Sequence, residues 1–314
     1  MTYDSRSKTF KTLDEQIEIL KIKGLVINDY DRAKEILFRE NYFFISGYRH
    51  LFMANKKDNQ FIEGTTFEEL YAMFTFDRKI RNIFFSFILV VENNLKSIIS
   101  YQLSKKYGYR DKEYLNPKNF TQDVMKSRQV RDILNKMRRQ IRVNGRQHTA
   151  TLHYIDNYGY IPMWILVKVL SFGIISELYN ILKLEDQIAI ADIYGLDVDT
   201  LSTYLSLVAN YRNICAHEEV LYEHRTQRVI PDSKYHRDLD IEVDNEDEYI
   251  YGKNDLYAIV IILKQLLSKD EFRDFINQIG YEVDVLDGKV DTVSLNGILN
   301  QIGFPDNWRN IVDL

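Results

Sequence analysis

The sequence predicts a mainly helical, all-α protein. Only 13 glycines and 4 prolines occur among 314 residues, which is few for a β-sandwich or a barrel. Long stretches repeat apolar residues at the three- and four-residue spacing of amphipathic helices. With 45% hydrophobic residues, the chain can bury a sizeable core. We expect an N-terminal helical region (1–64), a helical core (65–225) and a C-terminal helical or mixed region (226–314) packed on that core.

Helix-start and helix-stop signals place the N-terminal elements. A first helix opens at 13–16 and ends at Gly24, and Asp29 or Asp31 caps the second. Thr65-Thr66 and Glu69 then form a capping box, which begins a helical region that reaches Gly108 with or without a break.

Three further helical stretches follow. The first starts at 161–164 and reaches Leu184, and the second runs from an N-cap at Asp199 to about His224. A third helix covers 256–267, and the tail from 282 to 314 is mixed.

The stretch Ala-Asn-Tyr-Arg-Asn-Ile-Cys-Ala-His at 209–217 is the most informative feature of the chain. It places Arg212, Asn213 and His217 on about one and a half turns of a predicted helix. A histidine moves protons near neutral pH, and a guanidinium binds a phosphate whose negative charge grows in a transition state. These side chains predict metal-free cleavage of RNA.

The surrounding residues support this interpretation. Arg212 falls near the centre of an apolar stripe, whereas Asn213 and His217 share a flank of the helix. The stripe consists of Leu201, Tyr204, Leu205, Val208, Tyr211 and Cys215. The pairs Arg142/His148 and Arg146/His153 show a similar spacing, but they lie in a basic stretch without such periodicity.

A charge on a buried helix face needs a partner, and Glu92 is the candidate for Arg212. Glu92 is either an exposed flank residue paired with Lys96, four residues on, or a carboxylate that orients Arg212 or His217. Asp77 and Arg81 form another four-residue pair, which we interpret as a structural ion pair.

Charge is unevenly distributed along a chain of formal net charge −5. The stretch Lys126–Arg146 carries eight basic residues against one acid, and the stretch 238–248 is acidic. The basic stretch predicts a surface for the RNA backbone, with a solvated helix face as the alternative. The candidate RNA-binding residues are Lys126, Arg128, Arg131, Arg138, Arg139 and Arg142.

Other classes of site and location are disfavoured. Cys215 is the only cysteine, and no metal-spaced His/Cys set or phosphate-binding glycine loop occurs, so we expect no metal and no cofactor. Residues 1–11 are polar, and the apolar run Ile83–Val91 is too short to cross a bilayer. We therefore expect a cytoplasmic protein without membrane contact.

Several separated stretches together resemble the abortive-infection phage-resistance family of bacteria, of the Abi-D/Abi-F type. In chain order they are 16–20 with 23–25, Asn41-Tyr42 with Ser46-Gly47-Tyr48, 76–81, Val91-Glu92, 162–164 with 170–173, and 211–217. This resemblance implies a HEPN-like helical bundle, in which an Arg-x4-His motif forms a ribonuclease site where two copies meet. It also implies a toxin-like bacterial effector that a structured small RNA can restrain.

That resemblance implies a homodimer that cleaves RNA to 2′,3′-cyclic phosphate ends and spares DNA. His217 would act as general base or acid, Arg212 would bind the phosphate, and Asn213 would fix the histidine or a phosphate oxygen. Two alternatives stay open. One is an RNA-binding module that holds a structured RNA without cleavage; the other is a structural protein in which Arg212 pairs with Glu92 and His217 caps a carbonyl.

Overall fold

A computed structural model describes residues 9–55, 59–144 and 147–314 and confirms an all-α fold. The helices are α1 Leu13–Ile22, α2 Tyr30–Glu40, α3 Tyr42–Ser46, α4 Phe67–Tyr107, α5 Asp111–Tyr114, α6 Ser127–Asn144, α7 Thr149–Tyr158, α8 Met163–Val169, α9 Phe172–Ile181, α10 Leu184–Ala191, α11 Val198–Ala216, α12 Lys234–Asp238, α13 Leu256–Leu266, α14 Lys269–Asp287 and α15 Leu295–Ile302. Short 3₁₀ turns cover Arg49–Phe52, Pro117–Asn119, Val124–Lys126, Asp192–Tyr194 and Trp308–Val312. The strands in the described part are β1 Met53–Asn55 and β2 Gln60–Phe61, which pair antiparallel with Met53 opposite Phe61.

The N-terminal helices begin where the capping signals predict. Thr12 and Glu15 form a reciprocal capping box at α1, and Gly24 follows that helix with φ +90°. Asp29, the first of the two candidates, caps α2 by accepting a hydrogen bond from the Arg32 amide.

The central element is α4, a single helix of 41 residues without the break that the sequence allowed. At about 1.5 Å per residue it extends for roughly 60 Å, and α8, α10, α11, α13 and α14 pack along it. Among the described residues it is the one helix long and apolar enough to cross a membrane, but half of its most apolar window is buried inside the protein. Core helices of soluble proteins share this property.

Three acidic residues of α4 are buried, namely Glu69, Asp77 and Glu92. Glu69 closes the predicted capping box with Thr66 through one oxygen. Its other oxygen accepts hydrogen bonds from the backbone amides of Asp291 and Thr292, each at 2.8 Å. This carboxylate therefore ties the C-terminal segment to the start of α4.

Asp77 and Arg81 form the predicted structural ion pair, with 3.6 Å between Asp77 Oδ2 and Arg81 Nη1. Asp77 also accepts hydrogen bonds from the Tyr48 hydroxyl at 2.7 Å and from the backbone amides of Leu221 and Tyr222. The Asp77 carboxylate thus joins the N-terminal region to the chain that follows α11.

Outside α11, two sequence-based expectations were wrong. The stretch 161–184 forms α8 and α9 rather than one helix, because Leu170 has an extended backbone and Ser171 caps α9. The basic stretch does have helical periodicity, since α6 buries Val130, Ile133, Leu134 and Met137. The C-terminal tail, which we expected to be mixed, contains the end of α14, then α15 and a 3₁₀ turn.

Candidate functional site

The motif lies at the C-terminal end of α11. The N-cap of this helix is Asp197 rather than Asp199, because the Asp197 carboxylate accepts hydrogen bonds from the amide and hydroxyl of Thr200. Asp199 lies in the first turn, where its charge favours the helix dipole. The helix ends at Ala216 and not near His224, so His217 is its C-cap.

The apolar stripe of α11 is buried as predicted. Arg212, predicted near the centre of that stripe, is only partly buried. The Arg212 side chain keeps 29% of its surface exposed, and its guanidinium carbon lies 5.6 Å from the centroid of the Phe85 ring on α4. Arg212 therefore lies at the edge of the α4–α11 contact, with its side chain partly exposed.

Glu92 is the partner of Arg212, and it combines both sequence-based interpretations. It is buried rather than on an exposed flank, with 5% of its surface accessible. Its Oε1 accepts a 2.6 Å hydrogen bond from Lys96, and its Oε2 lies 3.5 Å from Arg212 Nε. Lys96 is also buried, and the sequence analysis did not predict its burial.

The contact between Glu92 and Arg212 is an ion pair and not a hydrogen bond. Within the described residues, Glu92 Oε2 and Arg212 Nε are both buried without a hydrogen-bond partner. Unsatisfied buried polar atoms cost free energy, so this pair is electrostatically held but incompletely satisfied.

Asn213 and His217 are exposed, as their position on the flank predicts. The His217 amide donates to the Asn213 carbonyl, and the Glu219 amide reaches back to the Ile214 carbonyl. Between them Glu218 adopts φ +54°, a left-handed conformation that usually falls to glycine. The backbone beside His217 is therefore strained, at a cost of about 1–3 kcal/mol.

Contacts from α4 hold this strained turn in place. Arg81 Nη1 donates a 2.6 Å hydrogen bond to the Glu219 carbonyl. Two residues further on, Asp77 accepts the amides of Leu221 and Tyr222. Because these contacts lie directly after the turn, α4 fixes the direction in which the chain leaves His217.

The two glutamates after the histidine lie close to ionisable side chains next to the motif. Arg78 has a raised pKa, first because it hydrogen-bonds Glu40 and further because of the nearby Glu218 charge. Burial lowers the pKa of His224, and the charge of Glu219 partly opposes that effect. Both carboxylates thus have electrostatic partners on the protein.

Neither Cys215 nor His224 is suited to catalysis. Burial raises the pKa of the Cys215 thiol to about 12, so it stays protonated and is a poor nucleophile. The His224 ring packs against Tyr211 with its centroid 4.9 Å away, and its Nε2 contacts Asn210 at 2.6 Å. No group of three or more metal-ligating side chains occurs in the part of the chain that the structure describes.

The predicted RNA-binding arginines lie on one side of α6, which we call the basic face. At about 3.6 residues per turn they fall within an arc of about 100°, opposite the buried side. Arg128 reaches Asp132 at 3.8 Å, and Arg138 donates to the Leu115 carbonyl. The exposed members without a hydrogen bond or ion pair to described residues are Arg131, Arg139 and Arg142.

Lys126 is not part of this face. Lys126 precedes α6, is half-buried and donates to the Asn180 carbonyl at 3.2 Å, so it is already engaged. Arg146 lies outside the described residues. A groove of about 500 Å³ runs beside the basic face and is lined by Arg138 and Arg142 together with the segment 111–117.

Comparison with known proteins identifies the family. No curated protein and no solved structure matches the chain significantly. A family model described as Abi-like protein matches residues 35–223, more than half of the chain and the part that contains α4, α6 and the motif of α11. The chain therefore belongs to the Abi-like protein family.

Proposed function

We propose that this protein is a HEPN-type, metal-independent endoribonuclease that acts as a toxin-like effector in abortive infection. Membership in the Abi-like family supports the role in abortive infection. The observation that supports this activity is the motif itself: the Arg212 side chain is 29% exposed and pairs with the buried Glu92, and the exposed His217 ends the same helix. Such an effector would act on RNA in the bacterial cytoplasm.

The proposed reaction is an intramolecular transesterification. The ribose 2′-oxygen attacks the adjacent phosphorus while His217 accepts the hydroxyl proton, and the bond to the 5′-oxygen breaks as that oxygen takes up a proton. The products carry a 2′,3′-cyclic phosphate and a 5′-hydroxyl. Arg212 would stabilise the added phosphate charge, and Asn213 would orient the histidine or a phosphate oxygen. DNA lacks the 2′-hydroxyl and would not react.

A homodimer would supply both proton-transfer groups. Arg212 and His217 point about 140° apart around α11, so one copy is poorly placed to direct both at one phosphate. Two copies related by a two-fold axis near this helix would pool two arginines and two histidines. We expect light scattering to give twice the chain mass of 37.3 kDa. A monomer with full activity would contradict this arrangement.

An RNA-binding module without cleavage is the alternative, and the basic face favours it as much as it favours a nuclease. In that case Arg212 and the arginines of α6 would hold a structured small RNA. A purely structural role is less well supported, because the Arg212 side chain is partly exposed although Glu92 and Lys96 are buried.

The basic face is proposed as the main contact with the RNA backbone. Replacing Arg128, Arg131, Arg139 and Arg142 by glutamine should lower RNA affinity and flatten the plot of log K against log salt. The slope should fall by about 0.7 to 0.9 for each lost phosphate contact. Filter binding over a salt series measures this, and an unchanged slope would make α6 an ordinary solvated face.

Replacement of His217 separates cleavage from binding. Because His217 is exposed and its side chain does not support the core, His217→Ala should abolish RNA cleavage and growth arrest while unfolding and RNA affinity stay unchanged. General acid–base catalysis accounts for about 10²–10⁴-fold in rate, which sets the expected loss. His50→Ala is the matched control, since His50 is also partly exposed and pairs with Glu223 rather than with a residue of the motif.

Cleavage is followed on a labelled RNA with end-group analysis for the cyclic phosphate. If His217→Ala cuts as fast as the unmodified protein, the catalytic assignment is wrong. If neither protein cuts RNA but both bind it, the RNA-binding alternative becomes the better description.

A further inference from the structure

A row of aromatic rings lies on the surface at the C-terminal end of α4, outside the residues used above. It joins the loop after α4, helix α7 and the start of α8. Successive ring centroids lie 5.4 Å apart for Tyr154–Tyr158, 6.3 Å for Tyr158–Tyr160, 5.7 Å for Tyr160–Tyr109 and 6.0 Å for Tyr109–Trp164. We call these five residues the aromatic row.

The row is open to solvent, which is unusual for so many large rings in contact. Tyr158 is 57% exposed, Trp164 is 42% exposed and Tyr109 is 41% exposed. Tyr154 alone among the five counts as packed against the core. The rings contact one another at interplanar angles of 32° to 59°, so they are tilted and not stacked face to face. Burying an aromatic ring is strongly favourable, so exposed rings in such a row offer faces suited to a flat ligand.

Local backbone geometry keeps the rings together. α7 ends at Tyr158, and Gly159 follows in the left-handed conformation with φ +72°. This turn places Tyr160 beside Tyr158 instead of continuing the helix. A Cβ atom at Gly159 would meet no other atom within 4 Å. Glycine is therefore favoured here by the positive φ and not by a lack of space.

The row also carries positive charge. The guanidinium carbon of Arg110 lies 5.4 Å from the Tyr160 ring and 5.9 Å from the Tyr109 ring. Arg110 directly precedes the segment 111–117 that lines the groove beside Arg138 and Arg142. Along the chain, the aromatic row is therefore followed directly by the segment that lines the groove beside the basic face of α6.

We propose that the aromatic row is a stacking platform for unpaired bases of single-stranded RNA, whose backbone continues along the basic face. This inference rests on the proposed RNA function and specifies its substrate class. Bases in a duplex stack on each other and hide their faces, whereas single-stranded bases stack on tyrosine, tryptophan and arginine. The exposed rings, with Arg110 within 6 Å of two of them, suit the bases, and the arginines of the basic face suit the phosphates of a nucleotide chain.

Tryptophan fluorescence can report binding at the aromatic row. It has two tryptophans, of which Trp164 belongs to the row and Trp308 is buried at 3% exposure. Titrating the His217→Ala protein, which should leave RNA intact, with single-stranded oligouridine should quench Trp164 emission. Trp164→Phe should remove the quenching, because Trp308 is out of reach of a surface ligand.

Single substitutions then test the stacking. Tyr158→Ala should weaken binding of oligouridine roughly five-fold to a hundred-fold, the range for loss of one base–aromatic stack. Tyr281→Ala is the matched control, since Tyr281 is 67% exposed on α14 and outside the row. Stacking releases no counterions, so Tyr158→Ala should leave the salt slope unchanged, unlike the glutamine variant of the basic face.

Four results would overturn the inference. They are equal affinity for a ribose-phosphate strand without bases, equal affinity for a full duplex, unchanged affinity of Tyr158→Ala, and Trp164 emission that changes with protein concentration alone. The last result would show that a second copy covers the row. The test is independent of the nuclease proposal. Quenching without cleavage supports the stacking platform, whereas cleavage that is insensitive to Tyr158→Ala rejects the platform and leaves the nuclease proposal in place.

Discussion

A carboxylate buried in a protein must be matched by donors or cations, and three such carboxylates on α4 determine how the rest of the chain is held. Glu69 binds the amides of Asp291 and Thr292. Asp77 binds Tyr48 and the amides of Leu221 and Tyr222. Glu92 faces Lys96 and Arg212. Each carboxylate would be costly without its distant partners, so the long helix acts as a common support that brings remote segments to defined positions.

Two of these carboxylates act on the motif from opposite ends. Asp77 and Glu92 are separated by about 22 Å along α4, and they contact residues after and before His217, respectively. α11 therefore runs antiparallel to α4, with its Arg212 placed by Glu92 and its exit turn placed by Arg81 and Asp77. The strained conformation of Glu218 is tolerated because the surrounding contacts fix it. His217 is thus exposed, but the turn that follows it is held in place by contacts from α4. The proposed proton transfer needs such a fixed position.

Much of this could be predicted from the sequence, because it depends on neighbours along the chain. Capping boxes at Thr12 and Thr66, the apolar stripe of α11 and the exposed flank of Asn213 and His217 are local patterns. Other features depend on contacts that no local pattern encodes. Asp197 and Asp199 are both competent caps, and only hydrogen-bond geometry selects the first. The early end of α11 occurs without a glycine, and the aromatic row joins three segments between 109 and 164 that packing alone brings together.

A double-mutant cycle on Glu92 and Arg212 tests most directly whether α4 positions the motif. The free energy of unfolding is measured for the unmodified protein, Glu92→Gln, Arg212→Gln and the double variant. Because the pair is buried on one side and lies within ion-pair distance, we expect a coupling energy of about 0.5–3 kcal/mol. The two single substitutions should then destabilise the protein by more, in sum, than the double variant does. A coupling energy within about 0.3 kcal/mol of zero would mean that Glu92 does not hold Arg212, and it would contradict this account.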